Sequence, residues 1–289
     1  MINMSDHITI AESDKCREPT LVEMIGARMS KKMRNSPLRS WLKSAYHAAL
    51  NLQTGGKGLK CSLPEGESVR VLPAYRYVSW NLDEYRAFKS NLQAGHTAFD
   101  VGANVGCYSL LFGQWVGSSG KVFAFEPAPE TFAALSRHVA LNSLNDVVTP
   151  VNTAVSNESS SVDFLALNTL GMSRLLSQSE QAEASQVIRV PVISIDEFCA
   201  QESVLPDLIK IDVEGFELSV LRGARETIKA CRDRLALFVE MHPTTWHEIG
   251  LSKEDIINEL DAQNLRAVPL RPCEDMWAIE GECLRLVTK

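Results

Sequence analysis

Apolar and polar positions follow two different patterns along the chain, and the first predicts a helical N-terminal segment. Apolar residues recur every four positions over 21–33, which predicts one amphipathic helix that ends before Pro37. A second helix is predicted over 38–52 and is stopped by Gly55 and Gly56. Residues 1–19 are polar and without pattern, so we expect them to be poorly ordered.

From residue 69 onwards, short apolar runs alternate with helical periodicity. This alternation is typical of an α/β domain with a mostly parallel sheet covered by helices on both faces. The predicted strands are 69–78, 97–101, 121–126, 147–155, 208–212, 235–240, 265–270 and 277–287, and the predicted helices are 82–93, 105–115, 129–142, 217–231 and 252–263. Short β segments around a polar loop are predicted over 161–193. The last two strands have no helix between them, which indicates an antiparallel hairpin at the sheet edge. We therefore expect an N-terminal extension over 1–68 and one domain over 69–289.

A loop punctuated by glycines lies between the strand 97–101 and the helix that follows it. Gly102, Asn104 and Gly106 lie in this loop, and glycine lets the backbone approach a ligand because it has no Cβ and tolerates positive φ. Asp100 closes the strand, and a carboxylate here suits a ligand with a cationic group better than a diphosphate. The next strand ends at Glu126, which is placed to accept both hydroxyls of a ribose. This order of elements fits S-adenosylmethionine better than a dinucleotide.

More acidic residues follow the later strands. Asp212 and Glu214 come after one strand, and Glu240 and His242 come after the next. Since the carboxyl ends of parallel strands meet at one edge of the sheet, we expect these side chains to converge there. An acid after a strand can also cap the next helix, so each acid taken alone has that alternative. Imidazole ordinarily titrates near neutrality, which makes His242 a candidate base for an acceptor hydroxyl.

Lys210 lies inside an apolar strand, two residues before Asp212. Residues two apart on a strand point to the same face, so the two side chains can pair. A buried lysine needs such a partner. We interpret Lys210 as the residue that orders this acid rather than as a catalytic lysine.

Charge and cysteine content narrow the functional classes. Residues 21–60 carry eight basic residues and one acid, whereas the whole chain has a net charge of −7. The basic segment is either a solvated helical face or a surface for an anionic partner. The seven cysteines form no C-x-x-C pair, which argues against a disulfide framework and a zinc site. With no pattern of a signal peptide or membrane span, we expect a cytoplasmic protein.

The motifs at 100–106, 125–127, 168–173, 210–217 and 240–242 together resemble the FkbM family of S-adenosylmethionine-dependent methyltransferases. The resemblance extends from about residue 77 to residue 270, and the string at 210–217 is its most specific part. It implies a class I methyltransferase fold, which is Rossmann-like with a seven-stranded sheet. It also implies O-methylation of a hydroxyl on a small molecule, sugar, polysaccharide or natural product.

The resemblance also implies roles for individual residues. The residues implied to hold the methionine part of the cofactor are Asp100, Gly102, Asn104 and Gly106. Glu126 would bind the ribose, and Ala154 would border the adenine. Asp212 and Glu214 would lie near the transferring methyl group, with Glu240 and His242 beside the acceptor. Asp212, Glu214 and Glu240 also have the oxygen ligands that a divalent metal accepts, but their spacing does not establish a site, and no metal is predicted.

Three alternatives remain open at this point. An RNA ribose 2′-O-methyltransferase would use the basic segment for phosphates, although the acidic domain argues against nucleic acid as a partner. A non-catalytic partner or sensor would bind S-adenosylmethionine without turnover, and a dehydrogenase would bind a nicotinamide cofactor. The two N-terminal helices would act as a cap or would join two copies in a homodimer.

Overall fold

The computed structural model describes residues 7–9, 46, 48–49, 52, 54–63, 65–76, 78–165, 174–175 and 187–289. The strands are β1 His7–Thr9, β2 Leu59–Ser62, β3 Ser68–Val71, β4 Ser79–Asn81, β5 Thr97–Val101, β6 Lys121–Phe125, β7 Val148–Val151, β8 Ala154–Val155, β9 Ser160–Leu165, β10 Arg174–Leu175, β11 Val187–Ile193, β12 Leu208–Ile211, β13 Ala236–Met241, β14 Leu265–Pro269 and β15 Glu282–Thr288. The helices are α1 Leu82–Asn91, α2 Cys107–Val116, α3 Pro129–Leu141, α4 Ile195–Glu202, α5 Glu217–Arg222, α6 Arg225–Ala230, α7 Pro243–Glu248 and α8 Lys253–Ala262. Within these ranges, none of the helices is both long enough and apolar enough to cross a membrane.

A seven-stranded sheet forms the centre of the molecule, with strand order β14-β15-β13-β12-β5-β6-β7. Strand β15 runs antiparallel to β13 and β14, and the other neighbouring pairs are parallel. Both the mostly parallel α/β sheet and the antiparallel hairpin at its edge are therefore confirmed.

The two faces of this sheet carry separate apolar layers because side chains alternate along each strand. On β5, Ala98 packs in one layer, whereas Phe99 packs in the other. Helices α1 to α3 cover the first face, with Phe88 and Leu110 among its buried residues. Helices α4, α5, α6 and α8 cover the second face, where Phe198 meets Phe99 edge to face at 5.6 Å. The sheet is thus buried on both sides, and its carboxyl edge is where polar side chains can gather.

A second, four-stranded sheet has the order β10-β9-β11-β8, which confirms the β segments expected over 161–193. The single strand predicted over 147–155 is wrong, because the chain breaks between β7 and β8 and moves to this second sheet. At the break, the Asn152 amide donates to the backbone carbonyls of Glu126 and Pro127 at 2.8 and 3.0 Å. These hydrogen bonds to residues distant in sequence outweigh the local apolar pattern that predicts one continuous strand. The motif at 168–173 lies outside the described residues.

The helix predicted over 217–231 is also wrong as one element, since α5 and α6 are separated at Gly223. A Cβ on Gly223 would lie 2.1 Å from the Ser156 carbonyl oxygen, and the Gly223 carbonyl accepts from the Asp196 amide at 2.9 Å. The turn is therefore set by packing against the segment after β8. Helix α7, which starts with Pro243 at its first turn, was not predicted.

The N-terminal region contributes a hairpin in which β2 pairs antiparallel with β3. Cys61 and Val69, from its two strands, are fully buried in the layer that holds Trp80. The division expected at residues 68–69 runs through this hairpin, so β2 packs with the sheet domain. Strand β1, which the pattern did not indicate, pairs with β4. The helix over 21–33 lies outside the described residues, as does most of the helix over 38–52, whose residues 46, 48, 49 and 52 are helical.

The loop after β5 is held in a conformation that glycine favours. Gly102 and Gly106 have φ values of +81° and +89°, and Asn104 has φ of +50°. A Cβ on Gly102 would lie 1.7 Å from the Asp212 carbonyl oxygen. This close approach brings the loop backbone directly against the end of β12.

Substitution of Gly102 by alanine tests this close approach, with Gly250 as the matched control. Gly102→Ala should lower the free energy of unfolding by about 3 kcal/mol or more, since it combines positive φ with a backbone clash. Gly250 has φ of +76° with nothing within 4 Å of its Cβ position, so Gly250→Ala should cost only about 1 kcal/mol. Urea denaturation of both variants measures the difference, and equal costs would contradict the close approach.

Candidate active site

Polar side chains on and directly after β5, β12 and β13 meet at the carboxyl edge of the central sheet. We call this group the strand-end cluster, which consists of Asp100, Lys210, Asp212, Glu214, Glu240 and His242. The three strands are neighbours in the sheet, so the convergence expected from the sequence is present. Glu126 and Ala154 lie at the ends of other strands.

Lys210 is the central cation of the strand-end cluster and is only 3% exposed. Its Nζ donates to Asp212 Oδ2 at 3.0 Å, lies 3.8 Å from Asp100 Oδ1, and stands over the Tyr108 ring at 5.5 Å. Burial alone would lower the pKa of Lys210, but the carboxylates of Asp212 and Asp100 raise it above its ordinary value. In Asp212, burial raises the pKa, but the charges of Lys210 and His242 outweigh burial and hold the pKa below its ordinary value. The expected pairing of Lys210 with Asp212 is present.

Asp100 lies inside the protein rather than on its surface. The side chain is 1% exposed, and its Oδ2 accepts from the Ser109 hydroxyl at 2.5 Å. Oδ1 is buried and has no hydrogen-bond partner among the described residues. Burial raises the pKa of Asp100, and the Lys210 charge opposes that rise. Its contact with a cofactor stays a prediction.

The His242 imidazole is held in place by Glu217, which is fully buried at the start of α5. His242 Nδ1 lies 2.7 Å from Glu217 Oε1. The same carboxylate accepts from the Gly215 amide at 2.8 Å and from Trp246 Nε1 at 2.6 Å. Because Glu217 is anchored by these donors, the orientation of the imidazole is set by the packing of α5 and α7.

The other ring nitrogen of His242 faces three carboxylates. Nε2 lies 3.6 Å from Glu214 Oε2 and 3.8 Å from both Asp212 Oδ1 and Glu240 Oε1. Burial alone would lower the pKa of His242, but Glu217 and the surrounding acids raise it to about 10. This raised pKa favours the protonated imidazole while only carboxylates surround it, and the role of His242 as a base stays a prediction.

The acids around His242 do not all ionise together. Burial and the neighbouring Asp212 raise the pKa of Glu240 well above its ordinary value. Burial raises the pKa of Glu214 to about 7, although the His242 charge opposes this. Close carboxylates repel one another, so added positive charge would stabilise their ionised forms.

Glu126 joins the glycine loop to the end of β6. Its Oε2 accepts from the Asn104 amide at 3.0 Å, and its Oε1 accepts from the Ala128 amide at 2.8 Å. Burial raises the pKa of Glu126 to about 7, and these two amides oppose the rise. Ala154 is buried against Ala128 and Val190, in a small apolar layer apart from the strand-end cluster.

The sequence pattern indicates no contact for Glu217 and does not single out Glu84. Glu84 is 6% exposed on α1, and burial raises its pKa to about 7. A sequence signal exists for Glu217, since it lies directly before the apolar run that begins at Leu218. An acid on a buried helix face needs a partner, and that partner is His242.

The chain is similar to known methyltransferases. A family model described as the methyltransferase FkbM domain matches residues 100–267. The hexuronic acid methyltransferase AglP of Haloferax volcanii is 25% identical over 236 residues, covering 79% of this chain and 87% of the relative. The methyltransferase sdnD of Sordaria araneosa is 30% identical over 168 residues, covering 47% of this chain and 63% of the relative.

A crystal structure of methyltransferase FkbM from Methylobacillus flagellatus KT aligns with a TM-score of 0.44 and 20% identity. This alignment covers 66% of the present chain and 43% of the other, so the present chain spans less than half of that protein. The family model, in contrast, matches more than half of the present chain and includes all six residues of the strand-end cluster. The chain therefore belongs to the FkbM family of methyltransferases.

Proposed function

We propose that this chain is an S-adenosylmethionine-dependent O-methyltransferase that acts on a hydroxyl of a small molecule, sugar, polysaccharide or natural product. The observation that carries the proposal is the strand-end cluster, where carboxylates outnumber cations beside a glycine loop. A sulfonium is positively charged and is favoured beside such carboxylates. The relative AglP, which is named a hexuronic acid methyltransferase, supports a sugar acceptor.

The residues around the glycine loop fit the methyl donor. When bound, S-adenosylmethionine supplies a methyl group on a positively charged sulfur. We assign the methionine part to Asp100, Gly102, Asn104, Gly106 and Asp212. The buried carboxylate of Glu126 suits the two ribose hydroxyls. We assign the border of the adenine to Ala154, which is buried among apolar side chains.

The acceptor side of the site has to align a hydroxyl and take its proton. Much of the acceleration of an in-line displacement comes from alignment. His242 is 4% exposed, and three carboxylates enclose its Nε2. The Glu214 side chain is 32% exposed, compared with 26% for Asp212 and 22% for Glu240. Glu214 is the most exposed of these three acids, and we assign proton acceptance to Glu214 and positioning to Asp212, Glu240 and His242.

Substitution of Glu214 tests this assignment. Glu214→Gln should lower kcat about 100-fold or more, because the amide cannot accept the proton. Binding of S-adenosylhomocysteine should change little. The assay is methyl transfer from labelled donor to a panel of glycosides and other hydroxyl compounds, with Glu226→Gln, an exposed acid on α6, as the matched control.

Two results of that assay would contradict the proposal. An unchanged rate in Glu214→Gln, with loss of activity in His242→Asn, would assign the proton acceptor to His242. Binding of S-adenosylhomocysteine by the wild-type protein, with no turnover on any hydroxyl, would favour a sensor or partner subunit.

The pH dependence of cofactor affinity tests the role of Glu126. Its pKa is about 7, and the ionised carboxylate is the form that accepts hydrogen bonds from two hydroxyls. Between pH 6 and pH 8 the ionised fraction rises from about one-tenth to about nine-tenths, so affinity for S-adenosylhomocysteine should increase about tenfold. Calorimetry should show weaker binding and a flatter profile for Glu126→Gln. The same slope in the variant would remove Glu126 from the ribose site.

Binding of nucleic acid separates this proposal from an RNA methyltransferase. We expect negligible retention of RNA in filter binding at low and at high salt, because the strand-end cluster is acidic. Strong retention that falls steeply with salt would indicate contacts with phosphates. That outcome would favour ribose 2′-O-methylation.

A further inference from the structure

We propose that Asp212, Glu240 and His242 form a binding site for a divalent metal ion of the Mn²⁺ class. Each residue offers one ligand atom, and these three atoms all lie within 4.8 Å of one another. They come from the ends of the neighbouring strands β12 and β13, so the sheet itself sets their spacing.

The separations between the imidazole and the two carboxylates are too long for hydrogen bonds, whereas the Asp212 and Glu240 carboxyls lie within hydrogen-bond reach of each other. His242 Nε2 lies 3.8 Å from Asp212 Oδ1 and 3.8 Å from Glu240 Oε1, whereas N–H···O bonds measure about 2.7–3.2 Å. Two atoms that each lie about 2.1 Å from one cation are about 3.0 Å apart at a right angle and about 4.2 Å apart when opposite. The two distances from His242 Nε2 fall within this range.

The second observation is the orientation of His242, which is independent of the acidic groups in the site. Its side chain is more than nine-tenths buried, its Nδ1 is bonded to Glu217, and its Nε2 faces the site, where the nearest carboxylate oxygen among the described ion pairs is Glu214 Oε2 at 3.6 Å. Histidines that bind metals almost always have their other nitrogen bonded to a carboxylate or carbonyl in this way. Trp246 and Gly215 anchor Glu217 in turn.

Asp212 can serve the site without giving up its pairing. Lys210 is bonded to Oδ2, which leaves Oδ1 directed towards His242. A divalent ion would also offset the repulsion between Asp212, Glu214 and Glu240. One imidazole and two carboxylates suit Mn²⁺, since oxygen ligands favour hard cations and imidazole favours first-row transition metals.

The role of the ion, unlike its binding, rests on the proposed function. A divalent cation next to the acceptor would stabilise the deprotonated hydroxyl and orient it. Glu214 Oε2, 3.6 Å from His242 Nε2, lies beside the site and remains available to take the proton. The positions left open by three protein ligands suit acceptor oxygens.

Binding of Mn²⁺ alone tests the site without methyl donor or acceptor, so its failure is distinguishable from failure of the proposed function. Full-length protein is treated with chelator, dialysed and titrated with Mn²⁺ while the electron paramagnetic resonance signal of the free ion is followed. We expect one bound ion per chain. The pulsed spectrum of the bound ion should show coupling to one imidazole nitrogen. No stoichiometric binding up to about 1 mM, the weak limit of specific sites, or no nitrogen coupling, would overturn the proposal.

The Mn²⁺ affinity of variants tests which side chains bind the ion. Asp212→Asn, Glu240→Gln and His242→Asn should each weaken Mn²⁺ binding at least about tenfold, and Glu217→Gln should weaken it about 10- to 100-fold through the position of the imidazole. Glu226→Gln should bind as the wild type does. Circular dichroism identifies variants that do not fold. Where a variant does not fold, the nitrogen coupling measured on the wild-type protein tests the proposed histidine ligand. Folded ligand variants with unchanged affinity would overturn the proposal.

Discussion

The buried ammonium of Lys210 is the interaction on which the strand-end cluster depends. It lies on β12, between β5 and β13, and contacts Asp212 and Asp100 at 3.0 and 3.8 Å. Removing carboxylates from water costs several kcal/mol for each ion unless a cation compensates them. Because Lys210 is on the middle strand, it stabilises charge on its own strand and on β5. Lys210 therefore compensates part of the carboxylate charge at this edge of the sheet before any ligand binds.

His242 is the second cation of the strand-end cluster and lies at the end of β13, where Glu217 binds its Nδ1. Its charge compensates the carboxylates on that side of the cluster. The described cluster still has more carboxylates than cations, and Glu240 and Glu214 have raised pKa values as a result. This excess of carboxylates at the edge of the sheet favours the binding of a cation. The sulfonium of a methyl donor and a divalent ion are two forms of that charge, and both proposals arise from this one imbalance.

The parts of this account that follow from local pattern were predictable from the sequence. Alternation with period two places Lys210 beside Asp212, and the order of strands places the acids at one edge. The break at Asn152 was not predictable, because its bonds go to a turn distant in sequence. The pairing of Glu217 with His242 joins residues 25 apart through the packing of two helices, and the raised pKa of the imidazole follows from that contact. Periodicity carries no information on such contacts.

A double-mutant cycle of Lys210→Met and Asp100→Asn at pH 7 tests the central claim most directly. Asp100 lies outside the proposed metal site, and the coupling energy of the cycle reports on the pairing of Lys210 with Asp100. Lys210→Met should lower the free energy of unfolding by about 3–5 kcal/mol, because it leaves a buried carboxylate without its cation. The double variant should recover at least about 1 kcal/mol of that loss, since it removes the uncompensated charge. Costs that add within about 0.5 kcal/mol would contradict the claim that Lys210 compensates this carboxylate.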